Sequence, residues 1–400
     1  MYPPIIHPLK IIGVTGTNGK TSITHFIAHA LKLAGLKTGV IGTLGNGLID
    51  HLQPSTLTTP GSPEFKKLVA DFISHKTDVI AVEASSHGLD QNRLKDTEFF
   101  AGIFTNLTRD HLDYHKTLKN YELAKLKLFT DFKPKYNIIN IDDKTGLKFA
   151  KKLKSTQIYC TSTELQKNPI GRGMASSLRF IYASKITPHP NGTTAEIHTP
   201  WGNGLLETSL FGKFNISNLL AVITLLGIME FKLNDILNYI AQLKNISGRM
   251  QVIQIPNRSM VVIDYAHTPD ALEKTLKTLR EHCQGNIWCV FGCGGDRDKG
   301  KRPLMGHIAE SLADFVILTD DNPRTEKPLE IIADIKAGIE NTKNIITEHD
   351  RRRAIQHAIQ SAKPNDIVLI AGKGHETYQE INHERFPFND ELEAKLLLMA

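Results

Sequence analysis

Residues 16–22 read G-T-N-G-K-T-S, and they separate the short apolar run Leu9 to Val14 from a segment whose Ile23, Phe26, Ile27, Ala30 and Leu31 share one helical face. That order is strand, glycine-rich loop, helix. At such a junction successive backbone N–H groups and the positive end of the helix dipole point at one spot, and glycines let a polyphosphate come close. Lys20 adds charge, and the Thr21 hydroxyl suits Mg²⁺. Gly16, Thr17, Asn18, Gly19, Lys20, Thr21 and Ser22 are therefore the candidate nucleotide-phosphate loop. Its spacing departs from the common G-x-x-x-x-G-K pattern, because Val14 stands at the first glycine position.

Outward from the loop, further buried-strand candidates are Gly39 to Thr43, Val79 to Glu83, Gly102 to Thr105 and Ile138 to Ile141. Helix-length stretches such as Glu64 to Ser74 and Tyr121 to Phe132 lie between them. This alternation predicts a parallel sheet covered by helices. Between Leu178 and Phe211 β-branched residues surround Asn191-Gly192, a tight-hairpin pair, and predict a small antiparallel excursion. Helical patterns follow over Asn215 to Gly227 and Leu233 to Lys244, and Ile246 to Met250 reads as a linker. Strand and helix then alternate again from Val261 to Ala371, which predicts a second, Rossmann-like α/β domain. The expected division is a central P-loop ATPase-like domain over residues 1–247 and a carboxyl-terminal α/β domain over 248–400.

The chain of 400 residues carries a formal charge of +6 that gathers into no basic run longer than Arg351, Arg352 and Arg353. A nucleic-acid partner is not expected. No apolar run reaches membrane-spanning length, and the amino terminus lacks a signal-peptide pattern, so no membrane partner and a cytoplasmic location are expected. Cys160, Cys283, Cys289 and Cys293 show no C-x-x-C spacing, and reduced thiols without zinc are the expectation.

Two crevice segments carry candidate chemistry. Glu83 closes an apolar strand, where a carboxylate faces the ligand crevice of a parallel sheet; a solvated strand end is the other reading. The polar stretch Thr105 to His115 follows the next strand, and His111 is either a metal-site residue or a helix cap. Tyr121 and Lys125 lie on the helix beyond.

Eight motifs occur here in one order: G-T-N-G-K-T-S, E-A-S-S-H-G-L, T-N-L-T-R-D-H-L-D-Y-H, F-N-I-S-N, D-Y-A-H-T-P-D, F-G-C-G-G-D-R-D-K-G-K-R, D-N-P-R-T-E and A-G-K-G-H-E. Together they resemble the Mur ligase family over nearly the whole chain from Ile11. The resemblance implies an ATP-dependent ligase of peptidoglycan synthesis that forms an amide bond. A γ-phosphoryl group passes to the D-glutamyl γ-carboxylate of UDP-N-acetylmuramoyl-L-alanyl-D-glutamate, and an amine displaces phosphate from the acyl phosphate. Such chemistry needs alignment and charge neutralisation. Lys20, Glu83, His111 and Lys125 match the catalytic positions, with Mg²⁺ at Thr21, Glu83, His111 and Lys125, and Lys125 matches the family's carbamylated lysine.

By the same resemblance Asn215 and Asn218 approach the adenine, Arg249 the phosphates and Asp264 the ribose. Thr58, Thr59, Ser85, Gln91 and Arg93 match positions that hold the muramyl dipeptide, with apolar Leu57 where some members carry Asn. The D-N-P-R segment, Asp321, Asn322, Pro323 and Arg324, implies meso-diaminopimelate as the added amino acid. Its second carboxylate suits an arginine fork, and Arg297, Gly372 and Glu376 are the matching partners. The family carries a UDP-binding domain ahead of the phosphate loop, and its absence here implies weak binding of the nucleotide-linked substrate. The chain is expected to act as a monomer on small molecules. A folylpolyglutamate synthetase-like ligase and a catalytically idle nucleotide-binding protein are the competing readings.

Overall fold

The computed structural model describes residues 9–154, 157–164, 178–189 and 191–399. The start of the chain, Met1 to Pro8, lies outside them. Two compact units are present: Met1–Thr187 with Gly192–Lys244, and Pro188–Asn191 with Asn245–Ala400.

The first unit is built on β1 (Lys10–Thr15), β2 (Thr38–Gly42), β3 (Gly45–Leu48), β4 (His51–Gln53), β5 (Val79–Glu83) and β6 (Ala101–Phe104). It continues through β7 (Tyr136–Asn140), β8 (Ile158–Ser162), β9 (Leu178–His189), β10 (Gly192–Thr199) and β11 (Gly202–Thr208). The sheet order is β11-β10-β9-β8-β7-β6-β1-β5-β2-β3-β4. From β2 through β9 neighbouring pairs are parallel. Strands covered on both faces read as near-continuous apolar runs, and β5 is apolar up to its terminal Glu83 with every residue buried. Because β1 lies between β5 and β6, with Val14 opposite Glu83 and Thr15 opposite Phe104, the loops after all three strands leave the sheet side by side.

The expected antiparallel excursion is not a separate layer. Strand β9 pairs parallel with β8, and β10 pairs antiparallel with β11, so the excursion widens the same sheet. The β3–β4 hairpin carried no strand signal, since its Gly45 and Gly47 at φ 134 and 142 leave little side chain to pattern. The helix Leu118–Thr130 begins three residues before the expected Tyr121, because Thr117 caps it by accepting from the Asn120 N–H.

The second unit contains β12 (Gln251–Ile253), β13 (Met260–Asp264), β14 (Ile287–Phe291), β15 (Phe315–Leu318), β16 (Ile345–Thr347) and β17 (Ile367–Ala371). Their order is β12-β13-β17-β14-β15-β16, parallel except for the edge strand β12. Val261, Ile263, Val290, Ile317, Val368 and Ile370 form its core with the helix Arg351–Ser361. A hairpin of β18 (Tyr378–Ile381) and β19 (Glu384–Pro387) follows, too exposed to show alternation in the sequence.

Candidate active site

The phosphate loop is held from the β6 side of the sheet. Thr17 N–H donates to the Asn106 carbonyl at 2.9 Å, Asn18 N–H donates to Asn106 Oδ1 at 2.9 Å, and Thr105 Oγ1 donates to the Asn18 carbonyl at 2.6 Å. Gly16 must be glycine: its φ is 151°, and a Cβ there would collide with Thr105 Oγ1. Gly19 precedes the helix Lys20–Leu33 without a side-chain cap, so its first N–H groups face the loop. Lys20 Nζ lies over the loop, donating to the Gly16 and Thr17 carbonyls at 2.9 and 2.8 Å. Ser22 is buried on the helix behind.

Glu83 is buried at the carboxyl end of β5. Its Oε2 accepts from Thr21 Oγ1 at 3.1 Å and from Thr43 Oγ1 at 3.2 Å, and its Oε1 accepts from Thr43 N–H at 2.8 Å. The carboxylate is thus aimed at the phosphate loop rather than into solvent. Thr43 carried no motif and was missed; its position just after β2 was the only signal.

The substrate candidates continue from this carboxylate. The Thr43 and Thr58 hydroxyls are 3.2 Å apart, and Thr59 Oγ1 donates to the Glu83 carbonyl at 2.6 Å. Thr59 and Ser85 hydroxyls are 2.9 Å apart. Arg93 donates to the Thr59 carbonyl at 2.7 Å and twice to Gln91 Oε1. All five residues form one connected row, with Leu57 exposed beside it.

Lys125 comes from the helix Leu118–Thr130 and is fully buried, its Nζ donating to the Gly16 carbonyl at 2.7 Å and lying 4.3 Å from the Tyr121 ring centre. Burial first, and then the Lys20 charge, hold its ammonium well below the usual lysine range, against the pull of Asp110. The neutral amine is the form that reacts with CO₂, so the environment fits a carbamate. His111 is exposed at φ 53°, with its Nε2 3.4 Å from Asp110 Oδ2 and its ring 4.9 Å from that of His87. His87 and His115 join this ring cluster and were not singled out from the sequence. Among the described residues no group of three His, Cys, Asp or Glu side chains stands ready to hold a metal. Thr21 and Glu83 are hard oxygen donors of the kind magnesium shares with nucleotide phosphates, and they fit that ion.

Asn215 and Asn218 are buried on the helix Lys213–Ile228. Asn215 Nδ2 donates to the Phe211 carbonyl at 2.9 Å and Asn218 Nδ2 to Asn215 Oδ1 at 3.3 Å; a Cβ on Gly19 would meet Asn218 Oδ1 at 2.7 Å. Asn218 therefore lies against the phosphate loop, with Asn215 bonded behind it.

The remaining candidates belong to the second unit. Arg249 stacks over Tyr265 at 4.5 Å. Asp264 accepts from Met250 N–H at 2.6 Å and Thr275 Oγ1 at 3.3 Å, and burial pushes its carboxyl up against the opposing charge of Arg249. Its carbonyl accepts from Gly372 N–H at 3.1 Å, which ties β13 to β17. Asp321 and Pro323 are buried, and a Cβ on Gly372, at φ 111°, would meet Asp321 Oδ2 at 2.6 Å.

Arg324 takes φ 51°; its N–H donates to the Glu380 carbonyl at 3.0 Å, its Nη1 donates to the Gly295 carbonyl at 2.8 Å, and its Nε lies 3.3 Å from Glu380 Oε2. Asn322 Nδ2 donates to Glu376 Oε2 at 2.8 Å. Arg297 is exposed and its Nη1 donates to the Asp296 carbonyl at 3.0 Å. It is the least anchored of this set. Glu380 and Lys373 were not anticipated, because the hairpin that carries Glu380 was itself unseen.

The fold and site carry the parts of a nucleotide-dependent ligase: a glycine-rich strand-to-helix loop with the Thr21 and Glu83 oxygens beside it on one α/β unit, and clustered charged side chains on a Rossmann-like unit. Residues 14–226 match the Mur ligase middle domain and residues 248–374 the Mur ligase, glutamate ligase domain. The chain is 47% identical over 390 residues to the UDP-N-acetylmuramoyl-L-alanyl-D-glutamate--2,6-diaminopimelate ligase of Coxiella burnetii, across 98% of this chain and 78% of that protein. A solved structure of a ligase of that name aligns at TM-score 0.69 and 40% identity, covering 99% of this chain and 79% of the other. A folylpolyglutamate synthase of Mycobacterium tuberculosis shares the fold at TM-score 0.68 but only 16% identity, over 92% and 88% of the two chains.

The chain belongs to the Mur ligase family, whose members are ATP-dependent, use Mg²⁺ and form amide bonds. No helix among the described residues is long and apolar enough to cross a membrane.

Proposed function

We propose that this ligase joins an amino group of meso-diaminopimelate to the D-glutamyl γ-carboxylate of UDP-N-acetylmuramoyl-L-alanyl-D-glutamate, for peptidoglycan in the cytoplasm. The observation that carries the reading is Arg324 in D-N-P-R. Its guanidinium is fixed along two edges by the Gly295 carbonyl and Glu380, which favours one presentation of its remaining fork to a substrate carboxylate. Lysine lacks that carboxylate. The 47% identity to a relative with this activity in its name points the same way.

ATP lies with its phosphates on residues 16–22, where backbone N–H groups and Lys20 balance their charge. Mg²⁺, held by Thr21 and Glu83 with the further candidates His111 and Lys125, supplies charge neutralisation for the transferring phosphoryl group. The row Thr58, Thr59, Ser85, Gln91 and Arg93 holds the muramyl dipeptide beside Glu83, so that a γ-carboxylate oxygen attacks phosphorus and ADP leaves. The unprotonated amine of the second substrate then attacks the acyl carbon; the C–O bond to phosphate breaks, and the nitrogen loses its proton. Alignment, not a protein nucleophile, lowers the barrier.

Lys125 acts as its carbamate, whose anionic oxygens suit a hard cation better than an ammonium does. On the family's pattern Asn215 and Asn218 are assigned to the adenine, Arg249 to the phosphates and Asp264 to the ribose. The domains proposed are residues 1–247, which carry the phosphate loop, and residues 248–400, which capture the amino acid with Arg297, Asp321, Asn322, Pro323, Gly372 and Glu376 around Arg324.

The test is ADP release from this chain with ATP, the UDP-muramyl dipeptide and either meso-diaminopimelate or lysine. Release that requires diaminopimelate is the expected result. Equal release with lysine, or release with a folate and glutamate instead, overturns it.

A further inference from the structure

Lys373 follows Gly372 just past β17, and its side chain has 0% exposure. A buried ammonium is costly unless its donors are met and its charge is paired. Here Nζ donates to Asn322 Oδ1 and to Glu376 Oε2, each at 2.9 Å, and it lies 5.6 Å from the centre of the Tyr378 ring.

These bonds decide how the pocket is presented. Asn322 Oδ1 also accepts from Glu380 N–H at 2.9 Å, while Asn322 Nδ2 donates to Glu376 Oε2 at 2.8 Å. A flipped amide would set its NH₂ against two donors and its oxygen against a carboxylate, so Lys373 helps to leave Asn322 a single orientation. Around that amide stand two ion pairs, Lys373 with Glu376 at 2.9 Å and Arg324 with Glu380 at 3.3 Å. The charges of these four groups sum to zero. A substrate end bearing both a carboxylate and an ammonium can meet Arg324 and Glu376 without leaving net charge behind. A lone ammonium finds Glu376 already compensated.

We propose that Lys373 is a specificity-determining positioning residue: it orients Asn322 and compensates Glu376, so that the pocket takes a zwitterionic side-chain end and rejects a lone ammonium. This rests on the diaminopimelate reading above. Charge-assisted hydrogen bonds contribute enough that losing two of them changes affinity by roughly tenfold or more.

The experiment compares the full chain with Lys373→Met, reading both amide formation and direct calorimetric binding for meso-diaminopimelate and for lysine. The expected result is a diaminopimelate KM raised about tenfold or more, kcat and the ATP KM changed far less, and a diaminopimelate-to-lysine preference at least about tenfold lower. The double variant Lys373→Met/Glu376→Gln has no uncompensated charge and serves where the single variant loses thermal stability. It is expected to lose diaminopimelate without gaining lysine. Equal losses for both amino acids, or an amino-acid KM that moves only in step with kcat and ATP affinity, overturn the proposal. A wild-type chain that takes lysine as readily as diaminopimelate sinks the substrate reading instead. The role of Lys373 is then decided separately, by whether the same substitution still shifts the ratio toward lysine.

Discussion

Lys125 and Gly16 stand 109 positions apart, and the lysine Nζ donates a 2.7 Å hydrogen bond to the glycine carbonyl. The bond ties the helix Leu118–Thr130 to the glycine-rich loop and keeps a buried amine beside it. With burial holding that amine well below its usual range, ¹³C-bicarbonate is expected to give a carbamate carbon resonance in the wild-type chain and none in Lys125→Met. The variant loses ADP release by more than about a hundredfold, as removal of a transition-state charge group does. Its thermal midpoint holds or rises, because a methionine in this place needs no polar partner. Full activity in Lys125→Met would end the idea.

Gly42 lies against Glu83: a Cβ at that position would meet Glu83 Oε1, Cδ and Cγ. Gly42→Ala therefore pushes the carboxylate off its line to Thr21. The expected result is a higher Mg²⁺ concentration for half-maximal ADP release and about a tenfold lower rate, with a stability loss of about 1–3 kcal/mol from overpacking. An unchanged magnesium requirement would show that Glu83 does not serve the ion.

Arg324→Ala removes the fork while leaving the phosphate loop of the other unit untouched. Diaminopimelate KM is expected to rise by roughly tenfold to a hundredfold, the range for losing charge-assisted hydrogen bonds. The ATP KM stays near wild type. Parallel loss of both would refute the assignment of Arg324 to the amino acid.

Glu326 accepts two 2.9 Å bonds from the buried Arg302, whose Nη2 also donates to the Gly294 carbonyl beneath Arg324. That guanidinium chiefly, helped by Asp296 N–H and Lys299, pulls the Glu326 carboxyl down from 4.5 to about 2. The folded value lies below the unfolded one, so the unfolded chain binds the proton more readily. The stabilisation is present above pH 4.5 and is lost as pH falls toward 2. Glu326→Gln is expected to cost about 1–3 kcal/mol at pH 7, with the difference from wild type closing in acid. Denaturant midpoints measured across that pH range check it, and a gap that stays constant would contradict it.

Much of the frame was legible because both periodicities are local. β5 runs over the span expected from its apolar run, Val79 to Glu83, and the glycine-rich loop sits at the first strand-to-helix junction. The hairpins β3–β4 and β18–β19 were not, since glycine and exposed polar residues carry no burial pattern. The site divides the same way. Lys20, Thr21 and Glu83 announce themselves by type and position, whereas Thr43, Glu380 and Lys373 matter through partners 40, 56 and 51 residues away.

The order of residues alone determined the two α/β sheets and the phosphate loop, because burial on both strand faces and the needs of a polyphosphate act over a few neighbouring positions. Only the tertiary structure decided that Lys125 is buried against Gly16, its ammonium held well below the usual lysine range, and that Lys373 clamps Asn322 to Glu376. Desolvation and charge pairing depend on what lies across the fold, and no local stretch of chain records it.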